Sequence, residues 1–270
     1  MESPFPPFDP DGEDTSPSSS HVRLRDIPLR TIFPNLLTLL AICSGLTAIR
    51  FATDGRIELA VAAILFAGFL DGIDGRVARF LKSTTRFGAQ MDSLADFVNF
   101  GVAPAMVLYF TVLDRLPSIG WVVVLLYASS ACLRLARFNV MLENDNAPDW
   151  HANFFVGVPA PAGALIGLLP VYLLLIGVEA SITFAWIASG FTLLCGYLMV
   201  SSIPTFSGKN ISMSVRRDLV LPLMIMAVFL VAILLSYPWY MLTCLAVLYL
   251  LCIPLALIRW NKHERTEKKE

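Results

Sequence analysis

Four aspartates dominate the chemistry available to this sequence. Asp71 and Asp74 stand three apart, and Asp92 and Asp96 four apart, within the stretch DGIDGRVARFLKSTTRFGAQMDSLAD. Residues at those spacings share a helix face, so each carboxylate pair can point one way from its own helix. Between the pairs lie Gly75, Ala78 and Gly88, together with the cations Arg76, Arg79, Lys82 and Arg86. Apolar runs flank the stretch on both sides. An acid at the centre of a membrane helix costs roughly 2.5–3.5 kcal/mol, so four unpaired acids would cost on the order of 10 kcal/mol, comparable with the whole stability of a domain.

Three arrangements relieve that cost: ion pairs with Arg and Lys, shared protons, or bound cations. Ion pairing alone does not account for two pairs at helical spacing with glycines between them. Shared protons suit a transporter whose acids lie near the bilayer midplane, whereas these lie near a helix end beside a cationic cluster. Hard oxygen ligands in a compact group suit Mg²⁺ or Mn²⁺, and two such ions offset four carboxylates charge for charge. The neighbouring Arg and Lys would then meet an anionic substrate, phosphate by preference. Gly75 and Gly88 let a ligand approach the helix backbone closely. The composite is a site for metal and diphosphate.

The elements that must position it are membrane helices. Of 270 residues, 56% are hydrophobic and 15% charged, and mean hydropathy is +0.68. Soluble domains carry about 25% charged residues, and runs of about 20 apolar residues read as spans. The expected fold is all-α, a polytopic transmembrane bundle. Spans are expected near 33–49, 57–81, 88–113, 119–140, 157–177, 181–201, 219–236 and 239–258. Pro34 is expected in the first turn of the first helix, with Asn35 and Thr38 a turn apart near that entrance. Residues 1–21, rich in Pro, Ser and acids, lack the pattern of a signal peptide and are expected to be disordered. Residues 22–32 read as a juxtamembrane, interfacial segment, and 259–270 as a charged, solvated tail.

Eight spans put both termini on one side, and the basic residues test this. Of the 20 Lys and Arg, only Arg50, Arg56 and Arg115 fall opposite the termini. The positive-inside rule therefore places the termini and the acid pairs in the cytoplasm, in the cytoplasmic membrane. Net charge is −1, which says nothing of partners, and no feature points to nucleic acid. Cys43, Cys132, Cys195, Cys244 and Cys252 occur singly in apolar runs and are expected to be buried small hydrophobes. His21, His151 and His263 receive no role.

The string Asp71-x2-Asp74-Gly75-x2-Ala78-Arg79-x8-Gly88-x3-Asp92-x3-Asp96 resembles the signature of the CDP-alcohol phosphatidyltransferases at all eight positions. The resemblance extends outward: FPNLLTLLAICSGL, DSLADFVNFGVAPA, LRLARFNV, FVGVPAPAGA and LMVSSIPTFSGK are similar to blocks of the integral-membrane phosphatidylserine synthases. It covers about residues 32–209, so the catalytic membrane domain is expected at 33–209, with two further spans in 210–258.

The resemblance implies transfer of the phosphatidyl group of CDP-diacylglycerol to the hydroxyl of L-serine, with release of CMP. It implies Asp71, Asp74 and Asp92 as metal ligands, and Asp96 as general base and further ligand. A nucleotide and diphosphate pocket is carried onto Gly75, Ala78, Arg79 and Gly88, with Asn35 and Thr38. A carboxylate acceptor needs a cationic fork, for which Arg134 and Arg137 are candidates, with Asn139 and Lys209 behind them. Arg134 and Arg137 could instead be membrane anchors. Other acceptors within the family (glycerol-phosphate, inositol-phosphate or choline) and, outside it, a divalent-cation transporter are the competing expectations. The family is commonly homodimeric, so a homodimer among membrane lipids is expected.

Overall fold

A computed structural model describes residues 29–81, 83, 85–142, 154–201, 204–206 and 217–267. Ten α-helices carry the described chain: α1 (Leu29–Thr53), α2 (Ile57–Phe80), α3 (Arg86–Asp96), α4 (Ala103–Thr111), α5 (Pro117–Leu142), α6 (Ala160–Gly167), α7 (Leu169–Ile176), α8 (Ile182–Val200), α9 (Arg217–Ser236) and α10 (Pro238–Glu267). A π-helical turn, Phe97–Val102, joins α3 to α4. Two three-residue strands, β1 (Phe154–Val156) and β2 (Pro204–Phe206), pair antiparallel with Phe155 opposite Thr205. Among the described residues this short ribbon is the only strand pairing in an otherwise all-α chain, as expected. It ties the chain before α6 to the chain after α8, and Val158 N–H donates to the Leu198 carbonyl beside it at 3.2 Å.

The first two helices form a close hairpin. Gly55, at φ +73°, takes the left-handed conformation that ends α1, and Arg56 N–H returns to the Phe51 carbonyl at 2.8 Å. Ala41, Ala48 and Ala52 of α1 and Ala60 and Ala67 of α2 are all buried. Small residues at helical spacing let two membrane helices approach closely, and Ser44 Oγ donates to the Ala63 carbonyl at 2.7 Å across the contact. Pro34 lies inside α1 and not in its first turn as expected, because the helix begins earlier, at Leu29. The carbonyl of Arg30 thereby loses its helical donor.

Behind the hairpin, α4, α5, α6, α7 and α8 contribute to a core that includes Tyr127, Leu108, Ile166 and Tyr172. Tyr127 donates its hydroxyl to the Gly163 carbonyl at 3.1 Å, and its ring lies where a side chain at Gly167 would stand. In the π turn Asn99 is fully buried, and neither end of its amide has a hydrogen-bond partner among the described residues. A methyl group added at Gly45 of α1 would collide with the Asn99 amide oxygen. Gly45→Ala is therefore expected to destabilise the bundle by about 1–3 kcal/mol, the usual cost of overpacking, read as a lower melting temperature in detergent.

Four of the described segments are long and apolar enough to cross a membrane: Ile32–Thr53, Phe87–Thr111, Pro117–Met141 and Ile182–Val200. Helix α2 has the length, at 24 residues, but carries Glu58, Asp71, Asp74, Arg76 and Arg79. The segment expected as a fifth span is divided at Leu168 into α6 and α7, with Pro170 in the first turn of α7. Helices α9 and α10 meet at a break bent by 117°. The segment expected as a solvated tail begins as helix, since α10 continues to Glu267. Of the cysteines only Cys195 is buried, while Cys43, Cys132 and Cys244 are exposed. The expectation of burial is corrected there, because a membrane helix can turn an apolar thiol to lipid as cheaply as to protein.

Candidate functional site

The C-terminal half of α2 and the whole of α3 build the site. On α2, Asp71, Asp74, Gly75, Ala78 and Arg79 recur at helical spacing along one stripe. Thr85 starts α3 by accepting the Gly88 N–H on its hydroxyl at 3.0 Å, a side-chain cap that satisfies a donor the helix end leaves free. That start places Asp92 and Asp96 opposite the α2 acids. One carboxylate oxygen each from Asp71, Asp74 and Asp92 lies within 4.8 Å of the others. Asp96 completes the group from the side, its carboxyl in hydrogen-bonding reach of Asp71.

Polar support around this cluster is sparse. Asp74 is 3% exposed and accepts the Thr38 hydroxyl on Oδ2 at 2.7 Å. Asp71 Oδ1 is buried with no hydrogen-bond partner among the described residues. Arg50 pairs with Asp54 at 3.9 Å, at the far end of α1 from this cluster. Carboxylate oxygens so close together, one of them buried and unpartnered, repel one another unless a cation lies between them. The donor set is all oxygen, which suits a hard divalent cation. The cluster fits a metal ion.

Two cavities meet at this cluster. The larger, about 300 Å³, is lined from α1 by Pro34, Asn35 and Thr38. From α2 it takes Asp74, Gly75, Ala78 and Arg79, and from the following turn and α3 it takes Ser83, Thr85, Gly88, Ala89 and Asp92. Every residue expected to hold the nucleotide and diphosphate thus faces one space. A Cβ at Gly75 would meet nothing within 4 Å, so no protein neighbour requires glycine there; the side chain would fill cavity space instead. Gly88 differs, for a Cβ there would press on Asn35 Oδ1 at 3.1 Å and Thr85 Oγ1 at 3.2 Å. Arg79 stands at the rim, its Nε donating to the Gly75 carbonyl at 3.1 Å.

The second cavity, about 250 Å³, lies on the other side of α3. Gln90, Ser93 and Asp96 line it from α3, and Leu135, Phe138 and Asn139 from α5, while Ala89 and Asp92 border both spaces. Arg134 sits behind it, 9% exposed, its guanidinium 5.7 Å from the Phe138 ring centroid and close enough to Asp96 and to Tyr249 of α10 to interact with both electrostatically. Arg137 is turned elsewhere and donates to the Val200 carbonyl at the end of α8, at 3.3 Å. Asn139 lines the cavity; Lys209 lies outside the described residues. Of the four cations in the acid stretch, Arg76 and Arg79 are exposed, and the side chains of Lys82 and Arg86 lie outside the described set.

The sequence passes over Thr85, Gln90, Ser93 and Tyr249. Only Thr85 carried a local signal, a Thr immediately before a helical pattern. Ser93 and Tyr249 matter through partners far along the chain, and no spacing announces them.

The site is thus a carboxylate cluster carried by two helices, where two cavities meet. Residues 31–195 match the family model described as CDP-alcohol phosphatidyltransferase, and residues 218–254 match that of CDP-alcohol phosphatidyltransferase 2. The chain belongs to the CDP-alcohol phosphatidyltransferase family. It is 49% identical to a Mycobacterium tuberculosis protein named CDP-diacylglycerol–serine O-phosphatidyltransferase, over 64% of this chain and 60% of that protein. Proteins of the same name from Mycobacterium leprae (43% identity, 84% of this chain and 74% of the relative) and Helicobacter pylori (35% identity, 73% and 81%) are also similar. The match to the M. tuberculosis protein thus spans less than two thirds of that relative's length.

Proposed function

We propose that the chain transfers the phosphatidyl group of CDP-diacylglycerol to the hydroxyl of L-serine, giving phosphatidylserine and CMP. The observation that carries this is the meeting of two cavities at one carboxylate cluster. Transfer at phosphorus needs a leaving nucleotide on one side and a nucleophile on the other, and α3 separates two such spaces. The name shared by the relatives supports the choice of substrates.

In this scheme the cytidine diphosphate part of the donor fills the larger cavity. Gly75 and Gly88 admit it close to the backbone, Ala78 and Thr38 border it, Asn35 offers its amide and Arg79 pairs with phosphate. Asp71, Asp74, Asp92 and Asp96 would hold the metal, assigned as Mg²⁺ or Mn²⁺ and as two ions. When bound, such ions neutralise charge on the diphosphate oxygens during transfer. Asp96 takes the proton of the serine hydroxyl as that oxygen attacks the phosphorus carrying diacylglycerol. The bond from that phosphorus to the CMP oxygen breaks, and CMP leaves with the electron pair. Arg134, Asn139, Arg137 and Lys209 are assigned to the charged groups of the amino acid. The position of Arg134 beside Asp96 supports it best, and the hydrogen bond of Arg137 to Val200 supports it least.

The same proposal sets the protein in the cytoplasmic membrane with eight crossings, its termini and active site on the cytoplasmic face. The one-sided distribution of Lys and Arg supports that placement. Residues 33–209 form the catalytic domain, 210–258 two further spans, and the working unit is a homodimer.

Release of CMP from labelled CDP-diacylglycerol in vesicles tests the function. It is expected with serine and Mg²⁺ or Mn²⁺, to stop with chelator and to resume when metal is restored. Release with glycerol-phosphate, inositol-phosphate or choline but not with serine would reassign the acceptor. Metal flux across the vesicle without CMP release would make the protein a transporter.

A further inference from the structure

The two acid-bearing helices also meet through an apolar contact, one turn away from their carboxylates. On α2, Gly68 precedes Asp71 by three residues; in the π turn that follows α3, Phe100 comes four after Asp96. Residues three or four apart lie on one helix face, so Gly68 and Phe100 continue the faces that carry the acids. The Phe100 ring occupies the space that a side chain at position 68 would take. A Cβ added to Gly68 would stand 3.3 Å from ring Cε1 and 3.6 Å from Cζ. One turn farther along, the Asp71 and Asp96 carboxyls come into hydrogen-bonding reach.

Phe100 is also held from α5 and α6. It is 4% exposed and packs in a cluster of its own with Leu135, Ala160 and Ala164, and with Phe97 beside them. The Tyr127 hydroxyl, which donates to the Gly163 carbonyl, stands 3.5 Å from the Phe100 carbonyl. Leu135 in turn borders the second cavity. A ring buried in a close-packed group transmits strain and does not absorb it. Such a ring is a stiff spacer.

What a spacer sets here is separation. The oxygens of Asp71, Asp74 and Asp92 lie within 4.8 Å of one another although they come from two helices. Their charges push those helices apart until a cation lies between them. Ligand distances in a metal site hold to within about 0.2 Å, so a shift of a few tenths of an ångström between α2 and α3 is felt there.

We propose that Phe100 is a positioning residue for the acid cluster. Seated on Gly68, its ring fixes how closely α2 and α3 approach, and so the separation at which Asp71 and Asp74 meet Asp92 and Asp96. This rests on the cation binding assigned above to the same acids. It goes beyond that assignment in giving control of their spacing to a side chain outside both cavities.

The test is Mn²⁺ affinity, measured by electron paramagnetic resonance on the full-length protein in detergent without substrate. It compares wild type, Gly68→Ala, Phe100→Leu and the double variant. Gly68→Ala presses a methyl group on the ring and is expected to weaken Mn²⁺ binding about tenfold, the lower end of the range for lost support around a metal site. Phe100→Leu removes the ring edge and is expected to weaken binding by a similar factor. In the double variant the methyl group fills part of the space the ring gives up, and affinity is expected to return to within about threefold of wild type. The Mn²⁺ concentration for half-maximal CMP release is expected to follow the same order. Unchanged Mn²⁺ affinity in both single variants, with only a lower melting temperature in chelator, overturns the proposal and marks ordinary packing. Losses that simply add in the double variant overturn it too, as does a wild type that binds no Mn²⁺. Phe100→Leu introduces no clash, so it decides the matter even where Gly68→Ala fails to fold. The expected order of Mn²⁺ affinities without CMP release from any acceptor supports the spacer and overturns phosphatidyl transfer alone.

Discussion

Asp92→Asn is expected to abolish metal-dependent CMP release, by about 10³-fold or more, equivalent to about 4 kcal/mol of lost transition-state stabilisation. The size of the effect follows from position. Asp92 contributes an oxygen to the three-carboxylate cluster, and among the acids it alone borders both cavities. Neutralising it removes one donor from the metal set and at the same time changes the wall shared by the two substrates. Asp71→Asn would weaken the cluster from one side only, and Asp74→Asn would retain the Thr38 hydrogen bond in altered form. The measurement is CMP release by protein in nanodiscs across a Mn²⁺ titration. Turnover within tenfold of wild type at saturating metal would remove Asp92 from the ligand set.

Asp96→Asn is expected to separate chemistry from binding. Asp96 borders the second cavity and not the first, so CDP-diacylglycerol binding should be retained while transfer falls about 10²–10⁴-fold, the range for loss of a positioned general base. Asn keeps the shape of the side chain beside Arg134 and cannot accept the serine proton. The substitution also removes one of the negative charges crowded against Asp71. With chelator present, the variant is expected to melt no lower than wild type, a result that a residue needed for folding would not give. Equilibrium binding of donor and a single-turnover transfer experiment, run side by side, check the two halves. Near-normal transfer would exclude Asp96 as the base.

Much of the lining of the larger cavity is legible in the sequence, because it is built from neighbours. Asp71, Asp74, Gly75, Ala78 and Arg79 recur with helix periodicity inside one element, and Gly88 and Asp92 do the same in the next. A short connection then turns the two faces toward each other. The second cavity is not local in this way. Ser93 meets Asn139 from another helix, and Arg134 lies between Asp96 and Tyr249, groups drawn from three helices. Side-chain types alone do not reveal such meetings. Arg134 and Arg137, three residues apart on α5, share a sequence motif but have different neighbours: Arg134 interacts with Asp96, and Arg137 donates to the Val200 carbonyl at the end of α8.

Architecture follows the same division. Apolar runs mark where membrane helices lie, yet they do not show where a run is interrupted. Leu168 and Pro170 divide a segment that hydropathy presents as continuous, whereas the break at Tyr237 falls in the gap expected between 219–236 and 239–258. The β1–β2 ribbon is too short for strand periodicity to show, and its partners lie on opposite sides of α6, α7 and α8. Cys43, Cys132 and Cys244 illustrate a limit of composition in membranes, where apolar means compatible with lipid and does not specify contact with protein.

The π-helical turn at Phe97–Val102 makes this span sensitive to its length. Each residue of an α-helix advances the side chains by about 100°, and a π turn accommodates an extra residue without breaking the helix. Upstream of it stand Asp92 and Asp96, aimed at the acid cluster; downstream stand Val107, Leu108 and Thr111, buried in the bundle. The turn therefore sets the rotational phase between the chemical half of one continuous rod and its structural half. Loss of a single residue there would relax the turn to ordinary helix and rotate one half against the other, even with every aspartate still present. Conservative changes of side chain in this stretch would leave that phase intact; changes in residue count would force the span to give up either its acids or its core.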